Sequence, residues 1–306
     1  MAIMYFAKFN VNSKVPDVRR GKTTFDKILD ELFKKIDDNT TYNYRAYNNV
    51  KQDDNTYEKV MYIDDRYIFS ELEKNYEEKY IMGKLIRRYN IHGEAYDEES
   101  KKSIKTTHEN SSSILFFFDI RKEIIAFCTR GNFGYNQFNR AIKGLAEEYL
   151  PEMEFEVYLQ KNIYSIEDEL KKFKRINKIS ANIIPPNSNG NDLEALERRD
   201  VEKLGQAGVT KKQVSYYASS KNDYGIDTEA DFIQSTFLQC SIGYGDFVTE
   251  GINHKNEKYV FKSNEGALLE RVIKDEEKDD TKIFKERAVI FITQIRSAIV
   301  LALKRE

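Results

Sequence analysis

Between Ser113 and Ile184 the spacing of apolar residues changes period several times, and each change limits what the backbone can do there. Ser113-Ile-Leu-Phe-Phe-Phe-Asp119 is an unbroken apolar run of strand length, the pattern of a strand covered on both faces. Residues 119–122 are polar and turn-like. Residues 123–129 form a second strand near enough to close a hairpin. Gly131, Asn132 and Gly134 interrupt the chain. Phe138, Ala141, Ile142, Leu145 and Tyr149 then recur at helical spacing, which predicts an amphipathic helix over 137–149 stopped by Pro151. Phe155, Val157 and Leu159 alternate with polar residues, as in a half-buried strand. Residues 165–168 fit a capping box, with Ile166, Leu170 and Phe173 on one helical face. Ile176, Ile179, Ile183 and Ile184 make a last strand, ended by Pro185 and Pro186. This order implies an α+β fold, a mixed or antiparallel sheet with helices on one face.

The flanks extend the pattern. Residues 4–11 read as an opening strand, and 15–22 as a loop carrying Arg19, Arg20 and Lys22. Thr24 caps a helix over 25–36, and 42–47, 58–63 and 67–69 read as a meander of short strands. Residues 97–113, rich in Lys, Glu, Ser and Thr, read as an exposed loop. Asn187-Ser-Asn-Gly-Asn191 after the two prolines is the clearest linker, so the chain divides into an α+β domain over 1–186 and a second, smaller α+β domain over 187–306. The second domain holds a helix through Leu193 and Leu204, a strand near Val214, a helix from Thr228, and an antiparallel pair at Phe247 and Tyr259. Its last helix spaces Phe284, Ala288, Phe291, Ile292, Ile295, Ile299 and Leu303 by three and four, which places it in the core or in a homodimer seam.

Composition removes several function classes. A net charge of −2 over 306 residues gives no global pull on a polyanion, so any nucleic-acid contact must be a local patch. Cys128 and Cys240 lie in apolar or small-residue contexts and read as reduced, buried thiols of a cytoplasmic protein. The N-terminus has no signal-peptide pattern, and 288–303 is too short and too polar for a membrane span. His92, His108 and His254 are scattered without metal-ligand spacing, so neither metal nor cofactor is expected. The glycines at 131–134 and 243–245 fit turns better than phosphate loops. Asp65, Glu77 and Lys79 have a spacing that a metal-dependent nuclease could use, in a polar context that fits chance better. No catalytic residue is assigned. The best local signal is basic: Lys171, Lys172, Lys174, Arg175 and Lys178 at a helix end, with Arg121, Lys122, Arg130, Arg140 and Lys143 from the same unit. These are the candidate nucleic-acid-binding residues, against the competing reading of a solvated helix end.

The Tyr5-Phe-Ala7 opening, Ser113-Ile-Leu-Phe-Phe-Phe118, and Ile124-Ile-Ala-Phe127 with Arg130 and the following helix occur in an order that resembles the RexA-like phage-exclusion family of temperate phage and its bacterial relatives in anti-phage loci. Ile183-Ile-Pro-Pro-Asn187 and Gly243-Tyr-Gly245 resemble marks of the bacterial members. The resemblance covers roughly residues 4–185. It implies a cytoplasmic, dimeric sensor that binds DNA, carries no catalytic motif, and cooperates with an effector that is often a membrane protein. The reading that follows is a non-catalytic nucleic-acid-binding component of phage defence, double-stranded DNA being favoured over RNA. The alternatives are a metal-dependent nuclease and a protein-interaction module.

Overall fold

A computed structural model describes residues 1–51, 57–99, 101–185, 207–219 and 221–303. The first half contains β1 (Ala2–Val11), α1 (Val15–Arg19), α2 (Phe25–Lys35), β2 (Thr41–Lys51), β3 (Tyr57–Asn75), β4 (Tyr80–Asp97), β5 (Lys102–Asp119), β6 (Ile124–Cys128) and α3 (Tyr135–Tyr149). The second contains β7 (Phe155–Leu159), α4 (Ile163–Leu170), β8 (Phe173–Ile183), β9 (Lys212–Tyr217), α5 (Asp231–Ser241), β10 (Gly245–Asn253), β11 (Lys258–Lys262), α6 (Ser263–Gly266), β12 (Glu270–Ile273) and α7 (Thr281–Leu303).

The fold is α+β, with two antiparallel sheets. The large one has eight strands in the order β12-β1-β6-β5-β4-β3-β2, and β7 shares an edge of β1 with β12. The small one runs β11-β10-β8-β9. β1 is apolar almost throughout because both its faces are covered. Ala7, Phe9 and Val11 join the core under α2 and α3, whereas Met4 and Phe6 pack under α7 with Phe284, Ala288 and Ile292. The first core is tight. The Phe127 and Phe138 rings stack at 3.7 Å between centroids, and the Tyr42 ring fills the space a side chain at Gly144 would need. Each fully buried phenylalanine there contributes about 1.5–3 kcal/mol of transfer free energy. In the small sheet α4 and α5 bury Ile166, Ile233, Phe237 and Cys240 against Ile176, Ile179 and Phe247.

Several expectations need correction. The segment 113–184 is not one layer, since β8 leaves the large sheet and pairs with β9 and β10. Helices lie on both faces of the large sheet, because the long apolar helix covers its second face. The proposed boundary at 186 does not coincide with the division between sheets: β8 precedes it and belongs to the small sheet, while β12 and α7 follow it and return to the large one. The 187–191 linker and the helix through Leu193 lie outside the described residues. The capping box at 165–168 is not formed. Asn162 caps α4 instead, its side chain accepting from the Tyr164 amide at 3.0 Å, and Phe173 begins β8. Residues 97–113 are mostly strand, not loop.

Cys128 and Cys240 are free and buried, and burial pushes each thiol up to about 12. At pH 8 both are therefore protonated and shielded. A disulfide-exchange reagent such as Ellman's should titrate no thiol in the native protein and both after denaturation. Rapid labelling of the native chain would contradict this burial.

Candidate functional site

Most of the cationic residues expected to form a patch are engaged by partners in the fold. Lys171 pairs with Asp168 at 3.0 Å, Lys172 with Glu169 at 2.5 Å and Lys178 with Glu250 at 3.0 Å. Hydrogen bonds to these carboxylates hold all three lysines above the ordinary lysine range. Lys174 donates to Asn256 Oδ1 and Arg175 to the Ser219 carbonyl. Five cations less three partner carboxylates leaves a surplus of two. The second group is dispersed on the other sheet and its helix. Arg121 donates to the Glu77 carbonyl at 2.8 Å, and Lys122 pairs with Asp119 at 2.8 Å. Arg130 pairs with Asp279, Arg140 lies over the Tyr44 ring at 3.9 Å, and Lys143 pairs with Glu156 at 3.2 Å. No described contact joins the Arg121 turn to the Lys171 segment.

The carboxylate set is also apart. Asp65 is buried and receives Arg87 through both oxygens, Nε and Nη2 each at 3.0 Å, together with the Tyr67 hydroxyl at 2.9 Å. Burial pushes the Tyr67 phenol well above its usual value. Arg87 also donates Nη1 to the Asn132 carbonyl at 2.7 Å, so Asp65 is the anchor of a loop–sheet junction. Glu77 lies beyond Asn75, about 30 Å along the strand at 3.3 Å per residue, and Lys79 is held by Asp30 at 2.9 Å. Asp65, Glu77 and Lys79 therefore cannot share a metal. Among the described residues no three His, Cys, Asp or Glu side chains gather as a metal site.

What the structure does bring together is an arm. β3 and β4 stay paired only as far as Arg66↔Arg88. Beyond that point the sheet forks into two two-stranded ribbons. One is β2–β3, from Ala46↔Ile63 to Lys51↔Tyr57. The other is β4–β5, from Tyr89↔Asn110 to Asp97↔Lys102, about 27 Å long by strand rise. Neither ribbon is packed against a helix, and two-stranded ribbons are marginal alone in water.

Side-chain alternation gives each ribbon two unlike faces. The register places Tyr47, Lys51, Tyr57, Lys59 and Met61 on one face of the first ribbon, which carries no carboxylate among the described residues. Tyr47 and Tyr57 are 52% and 69% exposed. This face continues from the side of the sheet that α7 covers. At the fork it meets Arg45, paired with Asp64 at 3.1 Å, and Arg66 and Arg88, which share Glu109 at 3.3 and 2.7 Å. The second ribbon adds Lys105 and Tyr96, the latter 67% exposed. Among the described residues Lys51, Lys59 and Lys105 carry no ion pair. The opposite faces are aliphatic, with Val50 and Val60 on one ribbon and Ile91 and Ile104 on the other, all exposed.

The residues around Gly243 and Gly245 form a different kind of site, a buried polar seam between the sheets. Lys8 pairs with Glu123 at 2.8 Å, and both side chains are nearly sealed from solvent. Lys161, fully buried, reaches Asp246 at 2.5 Å and the Gly245 carbonyl at 2.6 Å. Asn10 donates to the Gly243 carbonyl at 3.1 Å. These contacts tie the small sheet to the large one.

The family model for a domain of unknown function, DUF4747, matches residues 2–289. The chain belongs to that family. The DUF4747 match spans both sheets, both ribbons and the polar seam, so these features lie within the family domain. No curated protein matches the chain. No described helix is long and apolar enough to cross a membrane. Sequence reasoning read the strands of the first ribbon at 42–47 and 58–63 but missed the second ribbon.

Proposed function

We propose that this protein binds nucleic acid without catalysis, and that its contact surface is the pair of β-ribbons. The observation that carries the reading is the face bearing Tyr47, Lys51, Tyr57 and Lys59. Among the described residues it combines unpaired ammonium groups with exposed aromatic rings and lacks a carboxylate. A two-stranded ribbon fits the major groove of duplex DNA, lysines neutralise phosphates, and tyrosines can stack on unpaired bases. Duplex DNA is the favoured ligand because the ribbons project as paired arms. The free, buried cysteines support a reducing, cytoplasmic setting. In this proposal the chain acts as a homodimer along the strip of α7 that the sheet leaves exposed, Ile283, Val289 and Ile290. A place in phage defence beside an effector rests on the family resemblance alone.

The test is a mobility-shift titration with duplex DNA, single-stranded DNA and RNA at two salt concentrations, with a magnesium lane read for cleavage. The Lys51→Glu/Lys59→Glu variant should weaken binding by about tenfold or more and flatten the salt dependence by about two charges' worth. Lys171→Glu/Lys172→Glu should change binding less than about twofold, because those ammonium groups are already paired. No shift at low salt would overturn the reading in favour of a protein partner on the aliphatic ribbon faces. Equal losses from both variants would overturn the assignment to the ribbons, and cleavage would make the protein an enzyme.

A further inference from the structure

Beside the polar seam lies a cavity of about 180 Å³. Its walls come from elements of both sheets: Gln160 at the end of β7, Leu238 and Ile242 from α5 and its C-cap, Leu269 and Arg271 at β12, and Ile295 from α7. A cavity near this volume takes a body of about benzene size. Its chemistry is that of a ligand site, largely aliphatic with a few polar groups.

Two of those polar groups are unspent. Gln160 is 2% exposed and donates Nε2 to the Ile242 carbonyl at 3.4 Å, but its Oε1 is buried with no donor. A buried acceptor in that state lacks the donor such groups ordinarily have, and Gln160 is a wall residue of the cavity. Arg271 is half-buried, and its one described bond runs from Nη1 to the Glu270 carbonyl at 2.9 Å. The Nε–Nη2 edge of the guanidinium remains for a carboxylate, which that planar fork binds through two oxygens. Lys161, at the cavity wall, is consumed by Asp246 and the Gly245 carbonyl, which leaves Arg271 as the cation open to a guest.

We infer that this cavity binds a small organic monoanion: a carboxylate for Arg271, an apolar ring or branched body against Leu238, Ile242, Leu269 and Ile295, and a hydroxyl or N–H donor for Gln160. The inference is independent of the ribbons.

The probe is 4-hydroxybenzoate, titrated calorimetrically into the full chain, with 4-hydroxybenzamide and benzoate as comparisons. One saturable site is expected. Arg271→Gln, at a half-exposed position where folding is not at stake, should weaken 4-hydroxybenzoate by about tenfold, and the uncharged amide should bind about tenfold more weakly to the wild type. Benzoate, lacking the donor, should bind more weakly than 4-hydroxybenzoate. Leu238→Phe, which fills the cavity, should abolish binding while circular dichroism shows a folded chain. No saturable heat with 4-hydroxybenzoate at millimolar concentration overturns the inference. Affinity indifferent to Arg271→Gln and to the amide also overturns it, because binding would then be non-specific.

Discussion

Replacing Glu123 with leucine should cost about 3–5 kcal/mol of folding stability, the scale set by stranding one member of a buried ion pair. Lys8 and Glu123 approach to 2.8 Å with side chains only 5% and 6% exposed. The Lys8 ammonium also donates to the Lys122 carbonyl at 3.1 Å and lies 5.6 Å from the Tyr244 ring centroid. Those neutral contacts soften the loss of the carboxylate but carry no charge themselves. Removing both charges is a different matter. Lys8→Met/Glu123→Leu fills much the same volume with apolar atoms and should recover stability to within about 1 kcal/mol of the wild type, since the pair's attraction is largely offset by its desolvation. Urea denaturation of the wild type, both single variants and the double variant gives the coupling energy directly. A single-variant cost below about 1 kcal/mol would mean that the ammonium reaches solvent and that the seam is wet.

Gly243→Ala should destabilise the same seam by about 3 kcal/mol, from two separable causes. Gly243 has φ +96°, where an L side chain is strained by roughly 1–2 kcal/mol. A Cβ there would also run into Lys8 Cβ on β1, an overpacking worth about 1–3 kcal/mol. Gly21 provides the comparison. Its φ is +71° and no atom lies within 4 Å of the Cβ position, so Gly21→Ala should show the strain alone, about 1 kcal/mol. Equal effects at the two positions would show that β1 moves aside without cost and that the close approach of the two sheets at this turn is not rigid.

The elements that could be read correctly from the sequence are those with one wet face or a buried face of defined period. Phe25, Ile28, Leu29, Leu32 and Phe33 all point into one core, so the helix was legible to within a residue at each end. The same holds for β6 and β7, while α3 and β1 each begin two residues before the sequence reading. The second ribbon was not legible, for the same physical reason turned round. Residues 89–97 and 102–110 are exposed on both faces, so no core imposes a two-residue alternation, and polar strand looks like polar loop. The partners of the basic residues were hidden for a different reason. The sequence shows lysines and arginines but not their partners. Glu250 is seventy-two positions from Lys178, and Asp279 is 149 from Arg130.

Local periodicity alone determined the class of the fold, the reduced state expected of two apolar-flanked cysteines, and the burial of the last helix. These depend on neighbours within a few residues, where sterics and hydrophobic spacing act directly. Tertiary structure decided which sheet each strand joined, which face α7 covered, which charges were already neutralised, and that β2–β5 outrun their core to form a forked arm. Those outcomes are settled by pairings between residues far apart in the chain, such as Met4↔Arg271 and Gly245↔Ile183. Their energies come from surfaces that exist only once the sheets have assembled.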